Sequence, residues 1–151
     1  MSRELQLVSF NLGSEEFGVE IAMVQEIVRM PEITRVPRCA AFVEGVVNLR
    51  GKIIPVLDLR KRFGLGMREA TKSTRIVIVT VGGKTLGMIV DAVSEVLRIS
   101  ADSVEATPEM MTSRVDNAFL KGIAKLEGRL LILLDLDLIL SQEEVLAVEA
   151  G

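Results

Sequence analysis

The sequence predicts a mainly β protein built as two small barrel lobes related by internal duplication, with short helices between strands and one helix at the C-terminus. Three observations carry that prediction. First, Phe42 to Leu65, FVEGVVNLRGKIIPVLDLRKRFGL, largely recurs as FLKGIAKLEGRLLILLDLDLIL from Phe119 to Leu140. Over Phe42–Leu59 against Phe119–Leu136 the offset is 77 residues without a gap, and seven of eighteen positions are identical, more than shared apolar composition supplies. Second, Gly13, Gly18, Val24, Glu26 and Arg29 recur at an offset of 69 as Gly82, Gly87, Val93, Glu95 and Arg98, so the duplication reaches back ahead of each copy. Third, short aliphatic runs end in glycine turns in both halves, which is the punctuation of paired strands. The approximate repeat halves are 5–65 and 75–140 of a single domain spanning 1–151, and exchange of strands between lobes stays open.

Taken in order, Val8, Phe10 and Leu12 alternate with polar neighbours, Gly13 to Glu15 form a turn, and Phe17, Val19 and Ile21 alternate again, which predicts a hairpin with one buried face. Over Ala22 to Met30 the period changes. Val24, Ile27 and Val28 fall at i, i+3 and i+4, predicting a short amphipathic helix with Gln25, Glu26 and Arg29 outward, ended by Pro31. Ile33 to Val36 reads as extended and is closed by Pro37. Ala41 to Val47 reads as a helical turn with Phe42 and Val46 on one face. Gly45 inside it marks close approach of another backbone, from the lobe itself or from a partner, and Gly122 at the matching place favours the internal source.

Arg50-Gly51 and Glu127-Gly128 are turns that need positive φ at glycine, and Lys52–Leu57 and Arg129–Leu134 are the strands that follow. Asp58 is placed to cap a one-turn helix, Leu59 to Phe63, that Gly64 ends. Pro55 lacks an N–H and so points to a sheet edge for the first copy. Met67 to Ser73 is a polar connection. Ile76 to Val81 is apolar on both faces, as a strand buried between lobes is. Gly82-Gly83 signals a hairpin returning through Leu86 to Val90. Asp91 is read as the cap of a helical turn containing Val93, Val96 and Leu97. Pro108 to Asn117, with Met110-Met111, is an inserted loop, and SQEE at Ser141 to Glu144 predicts a C-terminal helix from about Gln142 to Ala150 within residues 141–151.

Composition narrows the function. The chain has 151 residues, enough to bury a core without disulfides or metals. Its single cysteine, Cys39, excludes an internal disulfide framework and suits a reducing compartment. No apolar leader stands at the N-terminus and no run approaches the roughly 20 residues that cross a bilayer, so a cytoplasmic protein without membrane insertion is expected. Net charge is −3, with no Trp, no Tyr and five Phe, which leaves neither the basic field nor the stacking surfaces that nucleic acid demands. There is no histidine, hence no usual general base, metal ligand or phosphohistidine. A hydrophobic fraction of 49% fits either a well-filled core or apolar surface reserved for partners.

No active site assembles from what remains. Five residues separate Gly45 from Gly51, one more than a phosphate loop has, and Ile53 stands where Ser or Thr must meet magnesium. Asp135 and Asp137 share a strand face but lack further ligands, and Asp58 in the other copy reads as a cap. Glu20, Glu26 and Glu44 read as a solvated face, and no serine or threonine has a base partner. A non-enzyme without cofactor or metal is expected.

EFGVEIAMVQEIVRM (Glu16 to Met30), AFVEGVVNLRGKIIPVLDLRKRFG (Ala41 to Gly64) and LGMIVDAVSEVL (Leu86 to Leu97) resemble the CheW-like family of chemotaxis coupling domains over nearly the whole chain. The fold also occurs in the kinase CheA and in CheV, but 151 residues leave no room for a kinase or receiver domain. The resemblance implies two SH3-like β-barrels, no catalysis, and an adaptor that couples the cytoplasmic tip of chemoreceptors to the regulatory domain of CheA. It implies a monomer in isolation that assembles into receptor arrays at the inner face of the membrane. Residues matching the family's partner-facing positions are Val24, Glu26, Ile27, Gly45, Asn48, Arg50, Gly51 and Val96. Another signalling system's binding module, or an oligonucleotide-binding barrel, is the alternative.

Overall fold

The computed structural model describes residues 3–35, 43–62, 70–105 and 120–136. Cys39, Phe42, Phe63, Gly64, the 108–117 loop, Asp137 and the expected C-terminal helix lie outside the described residues. Among the described residues, eleven strands and one short α-helix follow in order: β1 (Glu4–Leu12), β2 (Glu15–Glu20), β3 (Val24–Arg29), β4 (Val43–Leu49), β5 (Lys52–Asp58), α1 (Leu59–Arg62), β6 (Arg75–Val81), β7 (Lys84–Val90), β8 (Ala92–Ser100), β9 (Val104–Glu105), β10 (Leu120–Leu126) and β11 (Arg129–Leu134). The mainly β prediction holds.

The strands form two sheets, ordered β8-β1-β2-β11-β10-β9 and β3-β6-β7-β5-β4. Their orders match through the repeat: β8, β1, β2, β11 and β10 stand where β3, β6, β7, β5 and β4 do. The registers agree as well. Leu133 of β11 lies parallel to Gly18 of β2, and Val56 of β5 lies parallel to Gly87 of β7. The hairpin β1–β2 of the first half thus joins the strands of the second, and β6–β7 joins those of the first. Each sheet also curls back on itself. In the five-stranded sheet, Thr34, just past β3, exchanges two 2.8 Å backbone hydrogen bonds with Val46 of the opposite edge strand. In the six-stranded sheet, the edge strands β8 and β9 are joined by a single 3-10 turn, Ala101–Ser103.

Alternation along each strand sorts the apolar side chains between cores. Leu7, Ile99, Ala124, Leu131 and Leu133 fill the curl of one sheet, and Val47, Ile54, Val56, Ile76 and Ile78 fill the other. Phe10, Leu12, Leu57, Val77, Val79, Met88 and Leu134 share the third core, between the sheets. Phe10 stacks on Phe17 there, with ring centroids 6.0 Å apart. β6 serves two cores at once, Ile76 and Ile78 in one and Val77 and Val79 in the other, as its two-faced apolar run predicted.

Three helical expectations are corrected. Val24–Arg29 is strand β3 preceded by a 3-10 turn at Ile21–Met23, Val43–Leu49 is strand β4, and Ala92–Ser100 is strand β8. In β3 burial alternates residue by residue, so Val24, Glu26 and Val28 turn inward while Gln25, Ile27 and Arg29 turn out. The i, i+3, i+4 spacing of Val24, Ile27 and Val28 coincides with a β-branched run, and ladder pairing with β6 decides for strand. Pro55 is not on an edge strand, since β5 lies between β7 and β4. Its partner Val46 spends its own N–H and C=O on Thr34, so Val46–Pro55 is a non-hydrogen-bonded pair and no bond to β4 is lost. The Asp58 cap holds: its Oδ1 accepts from the N–H of Arg60 at 3.0 Å.

Candidate functional site

The partner-facing residues expected from sequence separate into three groups. Glu26, Ile27, Asn48, Arg50 and Gly51 gather where the β4–β5 hairpin tip meets β3. Arg50 and Gly51 both adopt positive φ, 51° and 84°, the pairing that a tight two-residue hairpin of this twist requires. Asn48 steadies the tip by accepting from the Gly51 N–H through Oδ1 at 3.0 Å. Arg50, whose side chain is 71% exposed, reaches across to pair with Glu26, and that hydrogen bond first, with the attraction of the same carboxylate, raises the guanidinium above the ordinary arginine range. Ile27 lies beside Glu26 on β3 and is exposed.

Val24 is half-buried and Gly45 is buried. Val24 packs on the core between the sheets. Gly45 is buried at a bulge, where an added Cβ would lie 2.1 Å from the Thr34 carbonyl oxygen, and Gly122 sits at the matching bulge, 2.8 Å from the Glu105 carbonyl oxygen. The close approach inferred for Gly45 is therefore internal. Val96 stands apart on β8 in the other sheet, 58% exposed.

Ile53 and Leu130, which were not among the partner-facing positions read from sequence, are exposed at 65% and 59%. Among the described residues the large exposed hydrophobics are Ile27, Ile53, Val96 and Leu130. Ile27 and Val96 are 69 residues apart and Ile53 and Leu130 are 77 apart, the two repeat offsets, so each sheet presents one related pair. In the chain each pair borders an ion pair: Ile27 follows Glu26 and Ile53 lies three residues past Arg50, while Val96 follows Glu95 and Leu130 follows Arg129. On the six-stranded sheet Arg129 bonds Glu95 at 2.5 Å and approaches Glu16 at 3.4 Å, and these carboxylates, Glu95 first, raise its guanidinium above the ordinary range. Glu26 and Glu95 are repeat equivalents, whereas Arg50 and Arg129 are not, so the second ion pair was hidden from residue matching. The repeat marks Ile53 and Leu130 as equivalent positions, and only the structure shows that both face solvent.

No group of metal-ligating side chains assembles among the described residues, and none of their helices is long and apolar enough to cross a membrane. Residues 6–144 match the CheW-like domain. The chain belongs to the CheW-like family. It is 35% identical over 144 residues to the chemotaxis protein CheW of Klebsiella aerogenes, covering 95% of this chain and 86% of that one. Against CheW of Rhizobium meliloti it is 35% identical over 139 residues, covering 92% and 89%. The crystal structure of the scaffolding protein TtCheW from Thermoanaerobacter tengcongensis superposes with a TM-score of 0.86 at 42% identity, covering 94% of this CheW-like chain and 96% of that one.

Proposed function

We propose that this CheW-like protein is a non-catalytic chemotaxis adaptor working in the cytoplasm, and that each sheet acts as a lobe presenting its own patch to a different partner. One partner is the cytoplasmic tip of a chemoreceptor and the other the regulatory domain of the kinase CheA. The carrying observation is the repetition: Ile27 with Ile53, and Val96 with Leu130, each beside an Arg–Glu pair. Exposed aliphatic side chains gain about 25 cal/mol per Å² when a partner covers them, while the charged rim selects which partner docks. Glu26, Ile27, Asn48, Arg50 and Val96 are contact residues in this reading. Val24, Gly45 and Gly51 act through the fold that holds them.

The reading is tested with Ile53→Glu and Leu130→Glu, assayed by pull-down with a receptor cytoplasmic fragment and with a CheA regulatory domain. Both side chains leave the core alone, so each variant should melt within about 2 °C of wild type. Each should lose one partner at least tenfold and keep the other. Retention of both partners by both variants would refute the two-patch reading.

A further inference from the structure

Among the described residues, charge is left uncompensated at one end of the β3–β6 ladder. Arg29 and Arg75 are direct cross-strand partners, so both side chains leave the sheet on one face, where like charges disfavour each other. Lys72 joins them in the wall of a cleft of about 400 Å³ that no described carboxylate lines. Among the described residues none of these three cations has an ionic partner. Arg75 donates through Nη1 to the carbonyls of Lys72 and Thr74, at 2.7 and 2.8 Å, which pins the turn and the guanidinium together. The remaining donors of its five have no acceptor among the described residues.

A second cleft of about 300 Å³ shares Thr71 and Thr74 with the first and is lined also by Asn11 and Asp91. Asp91 does not balance the cations, because its carboxylate already accepts from Arg60 at 2.8 Å and from the Gly13 N–H at 2.7 Å. The result is two adjoining clefts with hydroxyl and amide groups in their walls and three cations on one of them, in a chain whose net charge is −3. We infer that the Arg29–Lys72–Arg75 end binds the side-chain carboxylates of an acidic segment of a partner protein. Guanidinium forks match carboxylates in pairs, and three cations spread over one cleft wall with polar groups of the adjoining cleft beside them suit several carboxylates on one chain better than a lone ion or a flat bilayer.

Arg29 shares the outward face of β3 with Ile27, but Arg29→Gln leaves Ile53 and Leu130, the positions that test the apolar patches, in place, so the two readings fail separately. The test is titration of isotopically labelled protein with a hexaglutamate peptide, followed by backbone amide shifts. Inorganic phosphate and phosphatidylglycerol–phosphatidylcholine vesicles are the comparison probes. Hexaglutamate should move the amides of Met30 and of Thr71 to Arg75, and Arg29→Gln should weaken that binding at least tenfold. The same variant should melt at or slightly above the wild-type temperature, since it removes one of two opposed like charges. Shifts spread over the whole surface, equal saturation by phosphate at the same concentration, or tighter binding to the vesicles would each overturn the inference. A lower melting temperature for Arg29→Gln would also overturn it, by showing that Arg29 already has an acidic partner within the chain.

Discussion

Arg50 shows how much a single side chain's surroundings alter the reading of its exposure. Exposure alone predicts that reversing its charge leaves stability untouched, but Arg50 pairs with Glu26, whose Oε1 is shielded from solvent and has no hydrogen-bond partner among the described residues. Arg50→Glu would set two carboxylates together, so it should lower the melting temperature more than Arg50→Gln does. Both should weaken partner binding at least about tenfold, and the gap from wild type should narrow as salt screens the rim. The raised guanidinium implies stability present at every pH below the unfolded arginine value and lost only as pH rises through the still higher folded one. Thermal melts between pH 7 and 9 should therefore show no loss traceable to this pair.

Two glycines separate strain from collision. At Gly51 an added Cβ meets nothing within 4 Å, so Gly51→Ala is charged only with positive φ, about 1 kcal/mol. At Gly45 the same methyl runs into a backbone carbonyl that cannot yield without breaking the Thr34–Val46 bridge, and Gly45→Ala should cost about 2–4 kcal/mol. At roughly 2–4 °C per kcal/mol for this size, calorimetry resolves the two.

At the scale of elements, β3, β4 and β8 share one cause of misreading. Each begins beside a bulge or a 3-10 turn and carries valines whose spacing satisfies a helical and an extended template alike. Intrinsic preference for β-branched residues favours strand only modestly, and pairing decides. Hydrogen exchange checks this: amides of β3 facing β6 should be protected, and those of β6, whose Ile76 to Val79 are buried on both faces, should exchange only through global unfolding. The two-residue β9 should open first. Fast exchange throughout β3 would contradict its place in the ladder.

For the whole molecule, exchange of hairpins makes each half incomplete. A fragment of residues 1–69 lacks β6 and β7, the centre of the five-stranded sheet, and 70–151 lacks β1 and β2 from the other. Neither fragment alone should melt cooperatively, and a one-to-one mixture should regain the β signal in circular dichroism. Independent folding of either would refute the exchange. The shared core makes the sheets one cooperative unit, so Leu57→Ala, at a fully buried position between them, should cost about 3 kcal/mol in a single transition.

Several features follow from local chemistry and were legible in the sequence. The hairpin of β1 and β2, the Gly82-Gly83 turn, the positive φ of Gly51, the Asp58 cap and the two-faced β6 each depend on a few neighbouring residues, and the duplication showed that any such feature occurs twice. The family was legible through residues 16–30, 41–64 and 86–97, whose order and spacing act together. What the tertiary structure decided are matters of pairing across long separations. It made three apparent helices into strands, let Pro55 sit inside a sheet because Val46 bonds elsewhere, and joined each hairpin to the opposite half. It also turned Ile27, Ile53, Val96 and Leu130 outward. An aliphatic residue in a strand carries no mark of which face meets solvent, because that depends on the partner sheet and on the direction in which the strand curls.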